Sequence, residues 1–355
     1  MYQIRLCRND ELDLLMTFLK NSWSQHHIFL KNKKLLDFQH KTLNCYNFVV
    51  AYHRDTKCFH GVLGIISPDF YTNRKIDKGE DVWLAIWKVD KSIAKSNSLG
   101  MDMLEYVEDE FSPRSISAIG INNKVALLYK LMGFQTKTMN HWFLPNRDTL
   151  KPQLMIGNLP QLKEQSEHSS SFVIECGIEH ESELQNFLSK SGAKRSFRYI
   201  VDRYLNHPSY KYSMYAFKKK NLDVHAIAVG RKVSANGARA FRLTEFFYEL
   251  DCALDVKEGL MEIMVQEDYE YIDFLEYGFD SQSLLRSGFI QCSDGIFVPH
   301  LFEPFVAERN EVKIAVKSRE PFSCTKGDSD LDRPNLGQAD VKFNDCDVSL
   351  CKANK

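Results

Sequence analysis

The chain contains two successive series of apolar strands and amphipathic helices. In the first series, apolar residues at helical spacing predict helices at 11–19, 33–40, 100–110 and 124–132. Alternating or continuous apolar runs predict strands at 3–7, 46–52, 58–66, 82–89, 115–121 and 135–143. This order of elements indicates a mixed α/β domain.

The second series repeats the order of the first. Its predicted helices are 181–189, 198–205, 256–267 and 281–286, and its predicted strands are 172–176, 212–217, 224–233, 240–248 and 271–277. Met132-Gly133-Phe134 is echoed by Ser287-Gly288-Phe289, and each glycine stands where a helix would end. The repetition predicts a tandem duplication with two mixed α/β domains, followed by a further strand at 312–317.

The composition of the segments suggests domain boundaries. Residues 147–170 are polar, with prolines and a run of serines, which is typical of a linker. We therefore predict a first domain at 1–146, a linker at 147–170, a second domain at 171–335 and a weakly ordered tail at 336–355.

Charge and hydropathy argue against several classes of protein. Lys and Arg number 46 against 47 Asp and Glu, a formal net charge of -1, whereas nucleic-acid binders are usually basic. No apolar run approaches the ~20 residues that a membrane-spanning helix needs. Acidic residues follow closely after the N-terminus, where a signal peptide would be apolar, so a cytoplasmic protein is expected.

The cysteine pattern gives no sign of a metal or redox motif. The nine cysteines are odd in number and none forms a C-x-x-C pair. Their usual role at such positions is that of small buried side chains. Because the histidines are also scattered, we expect no metal cofactor.

The segment after the strand at 82–89 has the features of an anion site. A polar loop containing Lys95 leads into a helix that opens at Leu99-Gly100. Free backbone N–H groups at a helix start bind phosphate oxygens, and a nearby cation adds to the attraction. An ordinary helix start with a Ser or Asn cap explains the same residues equally simply.

The next helix carries a family resemblance. Asn123 and Ala126 precede Tyr129, which is followed by Gly133-Phe134, and this spacing resembles motif B of the GNAT (GCN5-related N-acetyltransferase) superfamily. The preceding loop resembles motif A of that superfamily, in which Ser98 replaces one of the glycines. The residues of this motif A-like loop are Lys95, Ser96, Asn97, Ser98, Leu99 and Gly100.

The resemblance implies a fold and a co-substrate. The GNAT fold has a sheet that splays between two central strands, here 82–89 and 115–121, with acyl-CoA such as acetyl-CoA in the gap. Trp87, Lys88 and Val89 would then line the pantetheine, and the loop would bind the pyrophosphate. Tyr129 would give a proton to the leaving thiolate. The alternative for Tyr129 is a residue that only packs the helix.

The acceptor side is less clearly marked. A protonated amine must lose a proton before it attacks a thioester, so a carboxylate or neutral imidazole is expected nearby. His27, in the first helical region, and Asp81, at the start of the central strand, are the candidate bases, with His141 as a further one. Each of them could equally be a structural or solvated residue.

The second domain lacks the cofactor motifs. The segment 252–255 before its long helix has no glycine or lysine, and Leu284 stands at the tyrosine position. We therefore expect a degenerate GNAT-like domain that does not bind CoA and has an acceptor-binding or structural role. Its acids in apolar surroundings, Glu245, Glu249 and Glu276, could lie at the edge of the core or face the acceptor. Its basic residues Arg198, Arg203 and Arg242 could contact the phosphate of a sugar nucleotide or be solvated.

The whole chain also resembles two-domain GNAT-like proteins of bacterial surface-polysaccharide and O-antigen sugar pathways. The similarity lies at 23–28, 35–40, 62–66, 84–89 and 326–335. It implies an amino-sugar acceptor, free or nucleotide-linked. The alternatives are a Fem-type aminoacyl-transferase, which takes its acyl group from charged tRNA, and a non-catalytic binding protein on decayed GNAT domains. A homo-oligomer is left open.

Overall fold

The computed structural model describes residues 1–93, 98–160, 172–191, 194–220, 222–249 and 253–334. Three of the motif A-like residues, Lys95, Ser96 and Asn97, lie outside the described residues, as do residues 161–170 of the predicted linker and the whole predicted tail. The chain divides into two units. Unit 1 comprises Met1–Lys137, Val312–Phe322 and Ser329–Lys355, and unit 2 comprises Thr138–Glu311 and Ser323–Asp328.

The elements of the first half follow the predicted order closely. Its strands are β1 (Tyr2–Arg8), β2 (Cys45–His53), β3 (Cys58–Ile66), β4 (Asp81–Val89), β5 (Ser115–Ile121), β6 (Gln135–Thr138) and β7 (Asn140–Pro145). Its helices are α1 (Leu12–Phe18), α2 (Ile28–Lys31), α3 (Lys33–His40), α4 (Pro68–Asn73), α5 (Leu99–Phe111) and α6 (Asn123–Leu131). A π-helical turn, Leu19–Trp23, extends α1.

The second half contains the remaining elements. Its strands are β8 (Ile156–Gly157), β9 (Phe172–Cys176), β10 (Ser213–Lys218), β11 (Val224–Ala235), β12 (Ala238–Tyr248), β13 (Tyr271–Tyr277), β14 (Ile290–Gln291), β15 (Ile296–Phe297), β16 (Leu301–Phe302), β17 (Phe305–Val306), β18 (Lys313–Ser318) and β19 (Cys324–Thr325). Its helices are α7 (Glu181–Lys190), α8 (Phe197–Ile200), α9 (Ala253–Glu267) and α10 (Ser281–Arg286).

The sheet of unit 1 has the strand order β1-β2-β3-β4-β5-β18-β6. The pairs from β1 to β4 are antiparallel, β4 and β5 are parallel, and β18 is antiparallel to β5. Helix α5 packs on this sheet because its apolar residues recur at helical spacing. The buried side chains of α5 are Leu99, Met103, Leu104, Val107 and Phe111.

The sheet of unit 2 repeats this order as β9-β10-β11-β12-β13-β7-β14, and β19 pairs separately with β13. Its central strands β12 and β13 are parallel, as β4 and β5 are in unit 1. The buried residues Leu260, Ile263 and Leu284 on α9 and α10 share an apolar core with Phe274 of the sheet. The two units therefore contain two mixed sheets of matching topology.

One strand of each sheet comes from the other half of the sequence. β7 pairs with β13 and β14 in unit 2, and β18 pairs with β5 in unit 1. The strand predicted at 135–143 is therefore two strands that belong to different sheets, with Met139 between them. The units for this reason do not follow the predicted boundaries at 146 and 171. Either sheet offers the apolar neighbours that such a strand needs, so local pattern does not decide between them.

The helix ends confirm the glycine signals of the repeat. Gly133 and Gly288 have φ values of +83° and +82°, which a residue without Cβ adopts at little cost. The corresponding helix starts are also alike. Asn122 accepts a hydrogen bond from the Val125 amide, and Asp280 accepts one from the Ser283 amide.

Candidate functional site

The two central strands of unit 1 separate part of the way along their length. β4 pairs with β5 only from Asp81↔Ser115 to Trp83↔Ser117, and β4 then continues to Val89. Beyond Trp83 the backbone groups that faced β5 become available to a ligand, because parallel strands use one edge for each neighbour. This gap lies between the two strands predicted to flank it.

A bulge in β4 lies at the start of the gap. Between the pairs Leu63↔Trp87 and Ile65↔Leu84, β3 advances by two residues and β4 by three. The extra residue bends β4 and increases its twist, which helps to turn it away from β5. Bulges of this kind are frequent next to ligand sites.

The start of α5 lies against the end of β4. A Cβ built on Gly100 would be 3.7 Å from Trp87 Nε1 and 3.8 Å from Val89 Cγ2. Exposed Ser98 occupies the N-cap position, and its hydroxyl does not cap the first turn. The amides of that turn therefore remain suited to an anion.

Tyr129 packs beside the same residues. Its ring centroid is 5.6 Å from that of Trp87 and 5.0 Å from that of Phe134, and its side chain is 3% exposed. Burial raises the pKa of its hydroxyl, which has no hydrogen-bond partner among the described residues. This hydroxyl is therefore available to a ligand. The structure thus brings Trp87, Val89, Gly100 and Tyr129 together.

The other residues predicted to bind the cofactor differ in burial and in the direction of their side chains. Ala126, one turn before Tyr129 on α6, is buried, whereas Asn123 at the helix start is exposed and accepts a hydrogen bond from Lys313. Lys88 is half-buried and, as the neighbour of Trp87 in a strand, points to the opposite face. Leu99 is buried in the core beneath α5.

His27 lies in a separate buried cluster of unit 1. Its Nε2 is 2.9 Å from Arg333 Nη1, and its Nδ1 accepts a hydrogen bond from the Phe29 amide at 3.3 Å. Burial, with the charges of Arg333 and His40, lowers the pKa of His27 to about 2. The imidazole is therefore neutral, but it accepts a proton poorly, so this geometry favours a structural role.

Asp81 forms an ion pair at the start of β4. Its carboxylate accepts hydrogen bonds from Arg114 at 2.7 and 3.1 Å and from the Ser115 hydroxyl at 2.7 Å. These donors occupy the oxygens that a general base would need. The arrangement joins β4 to β5 at the end where they are still paired.

The variant Asp81→Asn separates a structural role from a catalytic one. Loss of the charge beside Arg114 should lower the free energy of unfolding by about 1–3 kcal/mol. Thermal unfolding measures this loss, and turnover of the folded variant should remain near that of the unchanged protein. A fall in turnover of 10² or more with unchanged stability would instead identify Asp81 as the base.

The corresponding gap in unit 2 is filled by the protein itself. β12 and β13 pair from Phe241↔Ile272 to Leu243↔Phe274, and β19 then pairs with the rest of β13. The Thr325 hydroxyl also donates to the Thr244 carbonyl of β12. The strand edge that stays open in unit 1 is therefore occupied in unit 2.

The partners of the buried acid Glu245 in unit 2 could not be foreseen from the sequence. Glu245 is 4% exposed, and its Oε1 accepts a hydrogen bond from the Tyr204 hydroxyl at 2.7 Å. Burial, with the nearby Asp328, raises the pKa of Glu245 to about 7. Arg195 lies 2.9 Å from Asp328 and completes the group. The acid in an apolar strand was visible in the sequence, but its partners come from distant segments.

Two further searches concern metals and membranes. The described part of the chain does not bring three or more His, Cys, Asp or Glu side chains together in a way that could hold a metal ion. No helix in the described ranges combines the length and the apolar character that crossing a membrane requires.

Comparison with known proteins identifies the fold. No protein-family model and no curated protein matches the chain. The GCN5-related N-acetyltransferase of Anabaena variabilis ATCC 29413 matches with a TM-score of 0.54 and 9% identity, over 89% of this chain and 72% of that one. A probable N-acyltransferase of unknown function from Enterococcus faecalis V583 matches with a TM-score of 0.54 and 9% identity, over 90% and 73%.

A Saccharomyces cerevisiae N-myristoyltransferase with bound myristoyl-CoA and inhibitors matches with a TM-score of 0.47 and 9% identity, over 89% of this chain and 80% of that one. From the first two similarities and the two matching sheets, the chain has the fold of the GCN5-related N-acetyltransferases, once in each unit.

Proposed function

We propose that the chain is an acyl-CoA-dependent N-acyltransferase whose co-substrate binds in unit 1. The observation that carries the proposal is the gap between β4 and β5, with Trp87, Gly100 and Tyr129 beside it. Unit 2 has the same topology, but β19 fills its gap and Leu284 stands in place of the tyrosine. Acetyl-CoA is the simplest donor.

Different residues of unit 1 would bind the co-substrate and donate the proton. The open edge of β4 and the first turn of α5 would hold the pantetheine and the pyrophosphate, with Lys95 as a counter-charge. The Tyr129 hydroxyl would donate a proton to the thiolate that leaves when the amine attacks the thioester. A phenol suits this step because the departing thiolate needs a proton and the donor stays protonated at neutral pH.

The acceptor that we propose is an amino sugar, free or nucleotide-linked, as the sequence resemblance implies. The acceptor amine needs a base, and the surroundings of both His27 and Asp81 oppose that role. A water molecule that passes the proton to solvent is a sufficient base in this proposal. Competition among amino-sugar acceptors in a turnover assay tests the acceptor class.

Calorimetry with acetyl-CoA tests the central claim. The full chain should bind acetyl-CoA in the micromolar range and release CoA when an amino sugar is added. Binding without turnover on any amine would favour the non-catalytic alternative. Absence of binding would remove the proposal, and transfer from charged tRNA would favour the aminoacyl-transferase. The net charge of -1 disfavours that last outcome, because tRNA binding needs a basic surface.

The variant Gly100→Val tests the position of the pyrophosphate. The Cβ itself makes only ordinary contacts with Trp87 and Val89, so the fold should survive. The added γ-carbons would obstruct close approach to the first turn of α5, and acetyl-CoA affinity should fall about tenfold or more, ~1.4 kcal/mol.

Gly100→Ala is the matched control for this variant. Alanine in a helix is favoured over glycine by up to ~1 kcal/mol, so its stability should not fall, and its affinity should lie between the two. Equal acetyl-CoA affinity in all three proteins would place the pyrophosphate elsewhere.

A further inference from the structure

Four side chains form a row across neighbouring strands of the sheet in unit 2. Arg242 of β12 and Asp273 of β13 are direct neighbours in the parallel ladder. His141 of β7 lies diagonally across from Asp273, because β13 and β7 pair at Asp273↔Phe143 and Leu275↔His141. Side chains two apart along a strand share a face, so these three residues point to the same side.

The fourth member of the row is Cys292, at the end of β14. β14 pairs with β7 at Gln291↔Trp142, and the Cys292 amide then donates to the His141 carbonyl at 2.8 Å. The register continued by this bond places Cys292 opposite His141, so the thiol and the imidazole are neighbours on the same face of the sheet. Cys292 is partly exposed, as His141 is, whereas Asp273 and Arg242 are buried.

Asp273, held by Arg242, fixes the orientation of the His141 imidazole. His141 Nε2 is 2.9 Å from Asp273 Oδ2, which leaves Nδ1 for the thiol. Arg242 holds the same carboxylate through Nη2 at 2.8 Å, and it donates to the His300 carbonyl at 2.8 Å. Asp273 is therefore fixed in position and ionised, since Arg242 and His141 lower its pKa to about 2 against the effect of burial.

The electrostatics favour an imidazolium next to the thiol. Burial opposes the charged form of His141, but the neighbouring Cys292 and the hydrogen bond to Asp273 outweigh it and raise the pKa of His141 to about 9. The other groups that face this region are Arg242, His300 and Lys326. Burial and the Lys326 charge lower the pKa of His300 well below its ordinary value, so it remains neutral.

Other cysteines of the described residues have inert surroundings. Burial raises the pKa of Cys7 to about 12 and that of Cys176 to about 11. The partly exposed Cys45 contacts the Thr42 hydroxyl at 3.1 Å rather than an imidazole. A nucleophilic cysteine needs access and a basic neighbour together, and Cys292 has both.

A buried hydroxyl without a partner lies in the same region. Tyr271, two residues before Asp273 on the same face, is fully buried, and its hydroxyl has no hydrogen-bond partner within the described ranges. Tyr271, Phe143 and Ile296 belong to the apolar cluster that Cys292 packs against. A donor hydroxyl in apolar surroundings suits a carbonyl oxygen.

We propose that Cys292 is the nucleophile of a second acyl-transfer site, with His141 as its base and Asp273 as the positioning residue, and with an acyl thioester as substrate. The Cys292 thiol gives its proton to His141, and the thiolate attacks the thioester carbonyl. The carbonyl–sulfur bond of the donor breaks, and His141 returns the proton to the departing thiolate. The products are an acyl group in thioester linkage to Cys292 and a free thiol. The choice of a thioester rests on the proposed acyl-CoA chemistry.

The experiment uses the full chain and a small thioester, S-acetyl-N-acetylcysteamine, in parallel with acetyl-CoA. Peptide mass spectrometry should locate a hydroxylamine-labile acetyl group on Cys292. His141→Asn should slow its formation about 10²-fold, as for loss of a general base. Cys45→Ser is the matched control and should leave the rate unchanged. The small thioester needs no CoA site, so its result is independent of acetyl-CoA binding to unit 1.

A second measurement covers the case in which His141→Asn does not fold. In the unchanged protein, iodoacetamide at pH 7 should alkylate Cys292 about tenfold or more faster than Cys45, because only Cys292 has an imidazole beside it that can take the thiol proton. Absence of an acetyl group on Cys292 with the small thioester, or an alkylation rate no faster than that of Cys45, overturns the proposal. Acetylation by the small thioester alone supports it, even where acetyl-CoA fails to bind.

Discussion

A chain that ends at Pro160 is expected to lose the fold of unit 1, although it keeps every residue proposed to bind acyl-CoA. Such a chain lacks β18, which pairs with β5 through the register Lys313↔Ile121 to Ser318↔Ser115. Ile314 and Ala315 are fully buried and Val316 is nearly so. Without this strand, the sheet of unit 1 is interrupted next to the strand that flanks the gap.

The free energy that β18 contributes is large compared with the stability of a domain, so a chain without it should not fold. Burial of a branched side chain contributes about 1.5–3 kcal/mol, and the six paired residues also lose their ladder hydrogen bonds. A domain is stable by only about 5–15 kcal/mol, so the missing strand removes a large part of that margin. Circular dichroism should show loss of a cooperative thermal transition, and calorimetry should show no binding of acetyl-CoA.

Two controls make this result specific. A chain that ends at Pro334 keeps every strand that the structure describes, and it should retain the transition and the binding. In the full chain, Ala315→Asp should reproduce the destabilisation, because it places a carboxylate in the apolar core of unit 1. Normal folding and binding by the chain that ends at Pro160 would contradict the strand exchange.

The local elements were predictable because their signals lie within a few residues. The helices at 33–40 and 281–286 and the strands at 58–66 and 115–121 have the predicted bounds. Each of them has a clear apolar period and a flanking turn or cap. The repeated order of elements predicted two sheets of the same kind, and the matching strand orders confirm it.

The exchange of β7 and β18 was not predictable by this reasoning. Trp142, Phe143 and Leu144 form an apolar strand that is buried in unit 2, but the same pattern fits an edge position beside β6. Pairing partners of a strand are set by contacts over more than a hundred residues, which local periodicity does not record. For this reason the two units divide between Lys137 and Thr138 and not at the predicted boundary.

The candidate site was likewise predictable only where its residues come from neighbouring segments of the sequence. Trp87, Gly100 and Tyr129 come from consecutive elements, and their proximity follows from the order strand, helix, strand, helix. The surroundings of Asp81 and His27 depend instead on Arg114 and Arg333, which sequence reasoning did not pair with them. His141 was visible as a candidate, but its partners in the row across unit 2 became apparent only from the strand register.

The filled gap of unit 2 offers a physical reason why the second half of the chain lacks the cofactor motifs of the first. A duplicated sheet keeps its split, since the bulge and the parallel central strands recur at Val229–Gly230 and in β12 and β13. The edge of β13 beyond its pairing with β12 would be exposed without a further strand, and β19 pairs with it there. Because β19 occupies this edge, our proposal places no acyl-CoA there and gives no role to a glycine-containing loop or to a tyrosine at position 284.

The variant Tyr129→Phe is expected to reduce the turnover number by roughly 10², about 2.7 kcal/mol in the barrier, with little change in acetyl-CoA affinity. Phenylalanine keeps the ring contacts with Trp87 and Phe134, so the fold should be unaffected. Only the hydroxyl is removed, and no described residue depends on it for a hydrogen bond. Steady-state kinetics with calorimetry of acetyl-CoA binding measures the two effects separately.

Tyr106→Phe is the matched control, because Tyr106 packs partly buried against the same core on α5 but is not one of the residues brought together at the gap. Its turnover should equal that of the unchanged protein. Solvent isotope effects add a further readout, since proton donation to the thiolate should contribute to the rate only while the hydroxyl is present. Turnover of Tyr129→Phe within a factor of two of the unchanged protein would transfer the role of proton donor to water, and Tyr129 would then only pack the helix against β4.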